Sequence, residues 1–166
     1  YDELLKCVDA TPLVVDTRRR HDGALLARSI YVGSHSGQLA AIAVSHRTCT
    51  TRWIARLPNR IESSCCCSTD GERVFVGCYD GRLYCVAARD GRLLGWAQTQ
   101  AEIKSSPVYE PERERVWVAS HDHRLYCCDA AAMLGQGHEE DNNDGNNKQR
   151  RVVLATFELQ GSGYST

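Results

Sequence analysis

"GCYDGRLYC", residues Gly77 to Cys85, places an Asp-Gly pair between two arms rich in β-forming residues. Asp80-Gly81 tolerates the positive φ angles of a tight turn, so the stretch predicts a β-hairpin. A two-residue turn at that pair would set Tyr79 opposite Arg82, Cys78 opposite Leu83, Gly77 opposite Tyr84 and Val76 opposite Cys85. Side chains alternate across a strand. One face is then expected to carry Val74, Val76, Cys78, Leu83 and Cys85, and the other Phe75, Tyr84 and Val86. Neither face is polar, so both must be covered.

The stretch recurs. "IYVGSHSGQLAAI" from Ile30, "VFVGCYDGRLYCV" from Val74 and "VWVASHDHRLYCC" from Val116 align without gaps, at spacings of 44 and 42 residues. A second element precedes each hairpin: "VDATP" from Val8, "IESSC" from Ile61, "IKSSP" from Ile103, and "GYST" from Gly163. A third follows it, an apolar segment with an aromatic at Trp53, Trp96 and Phe157. Self-similarity at this period, with strands and no helical periodicity, indicates propeller blades of four strands whose two faces are each covered by a neighbouring blade. The expected fold class is therefore all-β, a β-propeller fragment of about three four-stranded blades plus the start of a fourth. The blades are placed at residues 8–57, 61–99 and 103–159, and the next begins near 163.

Departures from the period are expected in loops. "DTRRRHDGALLARS", from Asp16, reads as an enlarged loop between the first two strands. "GQGHEEDNNDGNNKQR", residues 135–150, has no apolar residue and is expected to be a mobile solvated loop, its "HEED" a solvated charge cluster. The third turn has Asp122-His123 where the others end in Gly, so a longer or different turn is open there. Closed propellers have about 4 to 8 blades, and 166 residues suffice for about three. The chain is expected to be a piece of a larger ring whose end sheets are uncovered in isolation.

Composition narrows the partners. The net charge is −1, and the basic clusters Arg18-Arg19-Arg20 and Lys148 to Arg151 are short and flanked by acids, so no nucleic-acid partner is expected. No apolar run of about 18 residues is written, so no membrane partner is expected either, and a cytoplasmic setting fits. The nine cysteines are Cys7, Cys49, Cys65, Cys66, Cys67, Cys78, Cys85, Cys127 and Cys128, without paired CxxC spacing. They read as reduced core thiols rather than metal ligands, with Cys127 and Cys128 entering different inter-blade layers. His35, His121 and His123 fall at hairpin turns, where a repeated residue serves the repeated fold. No nucleophile with a positioned base and no Gly-rich phosphate cradle is present. No residue is assigned a catalytic, cofactor-binding or metal-binding role.

The "YVGSxxGxLxAI" hairpin with an aromatic strand after it resembles the PQQ-like propeller repeat over nearly the whole chain. In "RDGRLLGW" the step from Gly91 to Trp96 is one residue longer than that family's Gly-x-x-x-Trp docking pattern. More narrowly, "KCVDATPLVV", "RIESSCCCS", "VGCYDGRLY" and "IKSSPVYEP" through "ASHDHRLY" are similar to the C-terminal propeller of the beta-alanine-activating enzymes, also called acyl-CoA synthetase family member 4. That resemblance implies a parent protein carrying N-terminal adenylation and carrier domains, which use ATP, magnesium and phosphopantetheine. None of those groups is implied for this chain. Its expected role is a non-catalytic interaction or scaffolding module, contacting the remaining blades, those domains, and a protein or small-molecule ligand on the loop-rich rim. Two other readings stay open: a fragment of a quinone-dependent dehydrogenase, which would hold a quinone and calcium, and a general assembly propeller.

Overall fold

The structure, a computed structural model, describes residues 7–19, 21–135 and 151–159. Twelve strands form three antiparallel four-stranded sheets, each a meander in chain order. The first sheet is β1 (Leu13–Arg18), β2 (Leu25–Gly33), β3 (Gln38–Val44) and β4 (Cys49–Arg56). The second is β5 (Cys66–Cys67), β6 (Arg73–Gly77), β7 (Arg82–Ala87) and β8 (Leu93–Gln98). The third is β9 (Val108–Glu110), β10 (Arg115–Ser120), β11 (Arg124–Asp129) and β12 (Val153–Glu158). Among the described residues there is no α-helix, and no helix long and apolar enough to cross a membrane. Most of the polar segment 135–150, and the start of a further blade near 163, lie outside the described residues.

The central hairpin differs from expectation by one residue. Gly77 pairs with Leu83 and Val76 with Tyr84. The loop is three residues long, closed by the Cys78 amide donating to the Arg82 carbonyl (3.0 Å) and the Gly81 amide donating to the Cys78 carbonyl (3.1 Å). Gly81, at φ +79°, takes the left-handed position of the bulge that ends such a loop. Asp80 braces it, accepting from the Arg82 amide (3.1 Å) and from the Tyr84 hydroxyl (2.6 Å). A one-residue change of register turns a whole strand over. Tyr84 and Val86 therefore join Val74, Val76 and Cys78 against Tyr31, Leu39 and Ala41 of the first blade. Leu83 and Cys85 join Phe75 against Val116, Val118, Tyr126 and Cys128 of the third. Each blade thus covers its neighbour, as the two apolar faces require, but the residues assigned to the two layers are exchanged on β7.

The third turn keeps the same geometry without its glycine. Ser120 pairs with Arg124 around His121-Asp122-His123, and His123 adopts φ +64°. A Cβ at that conformation is strained by roughly 1 kcal/mol. His123→Gly is expected to raise the melting temperature by a few degrees; an unchanged or lower midpoint in thermal denaturation would show that the side chain repays the strain.

The first blade's extra residues do not form a large loop. They lengthen the strands, which pair through Arg18 and Leu25, so that only Arg19 to Ala24 lie between them. Arg28 clamps the extension by donating to both Asp16 carboxylate oxygens at 2.6 and 2.8 Å.

Two steric fits lock the blades together. A Cβ on Gly33 would lie 2.2 Å from Ile61 Cγ2, and one on Gly77 would lie 2.2 Å from Ile103 Cγ2. The isoleucine that opens each Ile-x-Ser-Ser motif therefore occupies the space left by a glycine of the blade before it. At the other end of the strands Trp53 lies on Gly91, where a Cβ would meet its Cε3 at 2.6 Å, and its Nε1 donates to the Ala88 carbonyl (3.0 Å).

The three aromatics after the hairpins are not equivalent. Every blade carries a bulge at the same place, beside Ala41, Cys85 and Cys127, whose partners are Trp53, Gly95 and Ala155. Trp96 is the residue after Gly95 and pairs with Tyr84, so it faces back toward the first blade. The extra residue between Gly91 and Trp96 accounts for this reversal. Phe157 pairs with Leu125 and stacks on Trp117 (centroids 6.1 Å apart) on the outer face of the third blade, which no blade among the described residues covers, and it is 49% exposed. The outer face of the first blade is likewise open, with Val14 and Ile54 each 53% exposed.

Candidate functional site

The motif segments and the hairpin turns meet at one end of the blades. In each blade a turn amide donates to the residue that precedes the motif: His35 to the Cys7 carbonyl (2.9 Å), Tyr79 to Arg60 (3.1 Å) and His121 to Glu102 (3.0 Å). The repeat therefore places the turn residue beside the residue before the motif in every blade, and the residue two further on completes a set of three aligned positions. They hold Cys7, Asp9 and His35 in the first, Arg60, Glu62 and Tyr79 in the second, and Glu102, Lys104 and His121 in the third. The seams join them further, since the Ile61 amide donates to the Ser34 carbonyl and the Ile103 amide to the Cys78 carbonyl.

In the second blade the Arg60 guanidinium lies 3.9 Å above the Tyr79 ring, and Lys104 of the third blade approaches the same ring at 5.1 Å. Such cation–π contacts attract both positive charges to the ring. Burial first, then the neighbouring Glu62 carboxylate, pushes the Tyr79 hydroxyl above its ordinary value.

In the first blade the Cys7 thiol donates to Asp9 Oδ1 (3.0 Å). His35 Nε2 lies 3.0 Å from Asp9 Oδ2 and 3.3 Å from Glu62 Oε1 of the second blade. That nitrogen is sealed from solvent and, with both oxygens near it, makes no hydrogen bond. Arg60 Nε lies 3.8 Å from Glu62 Oε1. The hydrogen bond to Asp9 is the main reason the Cys7 thiol sits above its ordinary value, with desolvation adding to it. A nucleophilic cysteine needs the opposite shift. Its proton also points to Asp9 rather than to His35, so these residues do not form a Cys-His-Asp catalytic relay.

The remaining thiols divide by position. Cys65, Cys78, Cys85, Cys127 and Cys128 are buried, Cys127 and Cys128 on opposite sheet faces. Cys49 and Cys7 are exposed, against the reading of the cysteines as core residues. Burial pushes Cys65, Cys66, Cys85 and Cys128 up to about 12 and Cys78 up to about 11, from an ordinary 9.0. A thiol whose folded value is raised stabilises the fold below its unfolded value, and that stability is lost as pH rises through the folded one. The chain is thus expected to lose stability progressively from pH 9 toward pH 12, as followed by urea midpoints. A flat profile across that window would show the thiols to be water-accessible.

Two cavities among the described residues lie elsewhere. One of about 530 Å³, where the β5–β6 and β7–β8 turns meet, is edged by Asp70, Glu72, Arg73, Arg89, Asp90 and Arg92. Its mixed charge selects no ligand class. The other, of about 370 Å³, lies between the first two blades where the reversed Trp96 faces Leu57 and Pro58, with Arg82 4.9 Å over its ring.

Comparison with solved structures agrees with the sheet arrangement. The chain superposes on the crystal structure of BamB from Moraxella catarrhalis with a TM-score of 0.57 over 92% of its own length and 48% of that chain. The fold is a β-propeller fragment. At 16% identity the likeness concerns the fold alone. No family model matches the sequence. The chain is similar to the beta-alanine-activating enzyme of Homo sapiens, 40% identical over 79 residues, which is 48% of this chain and 7% of that protein. The mouse (Mus musculus) enzyme is 41% identical over 66 residues, 40% of this chain and 6% of that protein. The chain thus spans only a small part of the curated relatives that it matches.

The convergence of Cys7, Asp9, His35 and Glu62 was not found from the sequence. From sequence His35 reads as a turn residue and Cys7 as one of the core thiols. Aligning the motif and turn columns of the repeats carries the missing signal, because only the first blade has metal-ligating residue types in all three positions.

Proposed function

We propose that this chain is a non-catalytic interaction and scaffolding propeller module, part of a beta-alanine-activating, adenylate-forming multidomain protein. The observation that carries the reading is the 40% identity to the human beta-alanine-activating enzyme across 79 residues of repeat. The chemistry of the described residues fits this reading. Adenylation needs a phosphate cradle and cations placed against the developing charge, and the turns here hold side chains on each other instead. The activation of the amino acid, with ATP and magnesium, then belongs to another part of the parent, as does the phosphopantetheine carrier. The propeller supplies a rigid surface, with its rim of turns available to a protein or small-molecule partner.

The test is a pyrophosphate-exchange assay with ATP, magnesium and beta-alanine, run on the purified chain and on the parent protein. The chain alone is expected to give no exchange, while the parent gives exchange that survives deletion of the propeller. Exchange by the chain alone, or a parent lacking an adenylation domain, would overturn the proposal.

A further inference from the structure

We propose that Cys7, Asp9 and His35 of the first blade, with Glu62 of the second, form a binding site for a single zinc-class divalent metal ion. The proposal does not rest on the adenylation reading.

The spacing of the donor atoms is the first support. Cys7 Sγ, a carboxylate oxygen of Asp9 and a ring nitrogen of His35 all lie within 4.8 Å of one another. Zinc bonds of about 2.0 to 2.3 Å in a tetrahedron separate the ligand atoms by roughly 3.3 to 3.8 Å. His35 Nε2 is 3.0 Å from Asp9 Oδ2 and 3.3 Å from Glu62 Oε1, and Cys7 Sγ is 3.0 Å from Asp9 Oδ1. Small side-chain movements would therefore seat one ion among the three first-blade ligands, with Glu62 beside it at 3.3 Å from His35 Nε2.

The second support is the state of His35. Its Nε2 is shut off from solvent, faces two carboxylates and makes no hydrogen bond. A buried polar atom left in that state is costly. A cation between the nitrogen and the oxygens satisfies the nitrogen's lone pair and both carboxylates together. The third support is anchoring, since the His35 amide donates to the Cys7 carbonyl (2.9 Å) and holds the cysteine's backbone in place.

The ligand set selects the metal. One thiolate, one imidazole and two carboxylates suit zinc or cobalt, whereas calcium and magnesium require oxygen ligands throughout. Binding replaces the Cys7 proton, now donated to Asp9, and releases it to the buffer. Arg60 also pairs with Glu62. The three first-blade residues are thus the principal ligands and Glu62 the fourth, joining the metal across the seam to the second blade.

The experiment uses the full chain, stripped with a chelator, and cobalt(II) as the spectroscopic probe. Cobalt is expected to bind at one ion per chain with a thiolate charge-transfer band in the near ultraviolet, and one equivalent of zinc is expected to abolish it. Cys7→Ser should remove the band, and His35→Asn should weaken binding by roughly 10- to 100-fold or more, while Cys49→Ser changes neither. A variant-free arm guards against misfolding: alkylation of the wild-type chain with and without zinc, read residue by residue by mass spectrometry. Zinc is expected to protect Cys7 and leave Cys49 reactive. Equal alkylation of Cys7 in both samples, or a cobalt band that persists in Cys7→Ser, would overturn the site.

Discussion

Phe75→Ala is expected to lower the melting temperature of the chain by roughly 10 °C, while Phe157→Ala moves it by no more than about 2 °C. The chain's two phenylalanines occupy opposite circumstances. Phe75 is fully buried between the second and third blades and stacks on Tyr109 with ring centroids 5.8 Å apart. Emptying such a site costs about 3 to 5 kcal/mol, from lost transfer free energy and the cavity left behind. In a domain of this size each kcal/mol is worth about 2 to 4 °C. Phe157 lies 49% exposed on the outer face of the third blade, where no blade among the described residues covers it. Differential scanning calorimetry reads both variants. Equal losses would mean that the third blade's outer face is covered in solution, by association or by the undescribed part of the chain.

Gly77→Ala is expected to cost about 2 to 3 kcal/mol, although it adds one methyl group. That methyl would lie 2.2 Å from Ile103 Cγ2, 3.0 Å from its Cβ and 3.2 Å from Ser63 Cβ. The isoleucine is branched, fully buried and held by its own amide's bond to Cys78, so it has nowhere to yield. Ile103→Ala alone should also cost about 2 to 5 kcal/mol through its cavity. The double variant should cost clearly less than the two added together, because each change relieves what the other creates. Urea unfolding of the four proteins measures the coupling. Simple additivity would show that Gly77 and Ile103 do not meet. The third blade bears on the same point from sequence. It carries Ala119 in place of that glycine, and the aligned residue of the motif after it is Gly163 rather than isoleucine.

Sequence alone was sufficient for the blade. Three gapless hairpins at a spacing near 42 residues, each apolar on both faces, admit a propeller and little else. It was not sufficient for the register, because Asp80-Gly81 serves equally well as a two-residue turn and as the last two positions of a three-residue one. The difference rests on which amide reaches which carbonyl, and it decides whether Tyr84 faces the first blade or the third. Trp53 and Trp96 were similarly read as counterparts, and a single extra residue before the second reverses its direction. The candidate site was illegible for another reason. Cys7 and His35 are far apart in the chain, and nothing in their types marks them as neighbours. Only the repeated amide bond from the turn to the residue before the motif does so.

The two steric fits between blades differ in how they would respond to recombination. Unequal crossing-over between repeats readily deletes one unit, and loss of residues 60–101 would bring the first blade against the third. At the glycine–isoleucine seam the fit would be kept, since Gly33 would receive Ile103 as it now receives Ile61. At the tryptophan seam Trp53 would meet Met133, which holds the position of Gly91 and puts a side chain where Trp53 now lies on a glycine. One seam is thus generic to the repeat and the other specific to a particular pair. A chain of similar repeats has in this way an order among its blades, and shortening it by one unit would have to be followed by a second change at position 53 or 133 before the blades could close on each other.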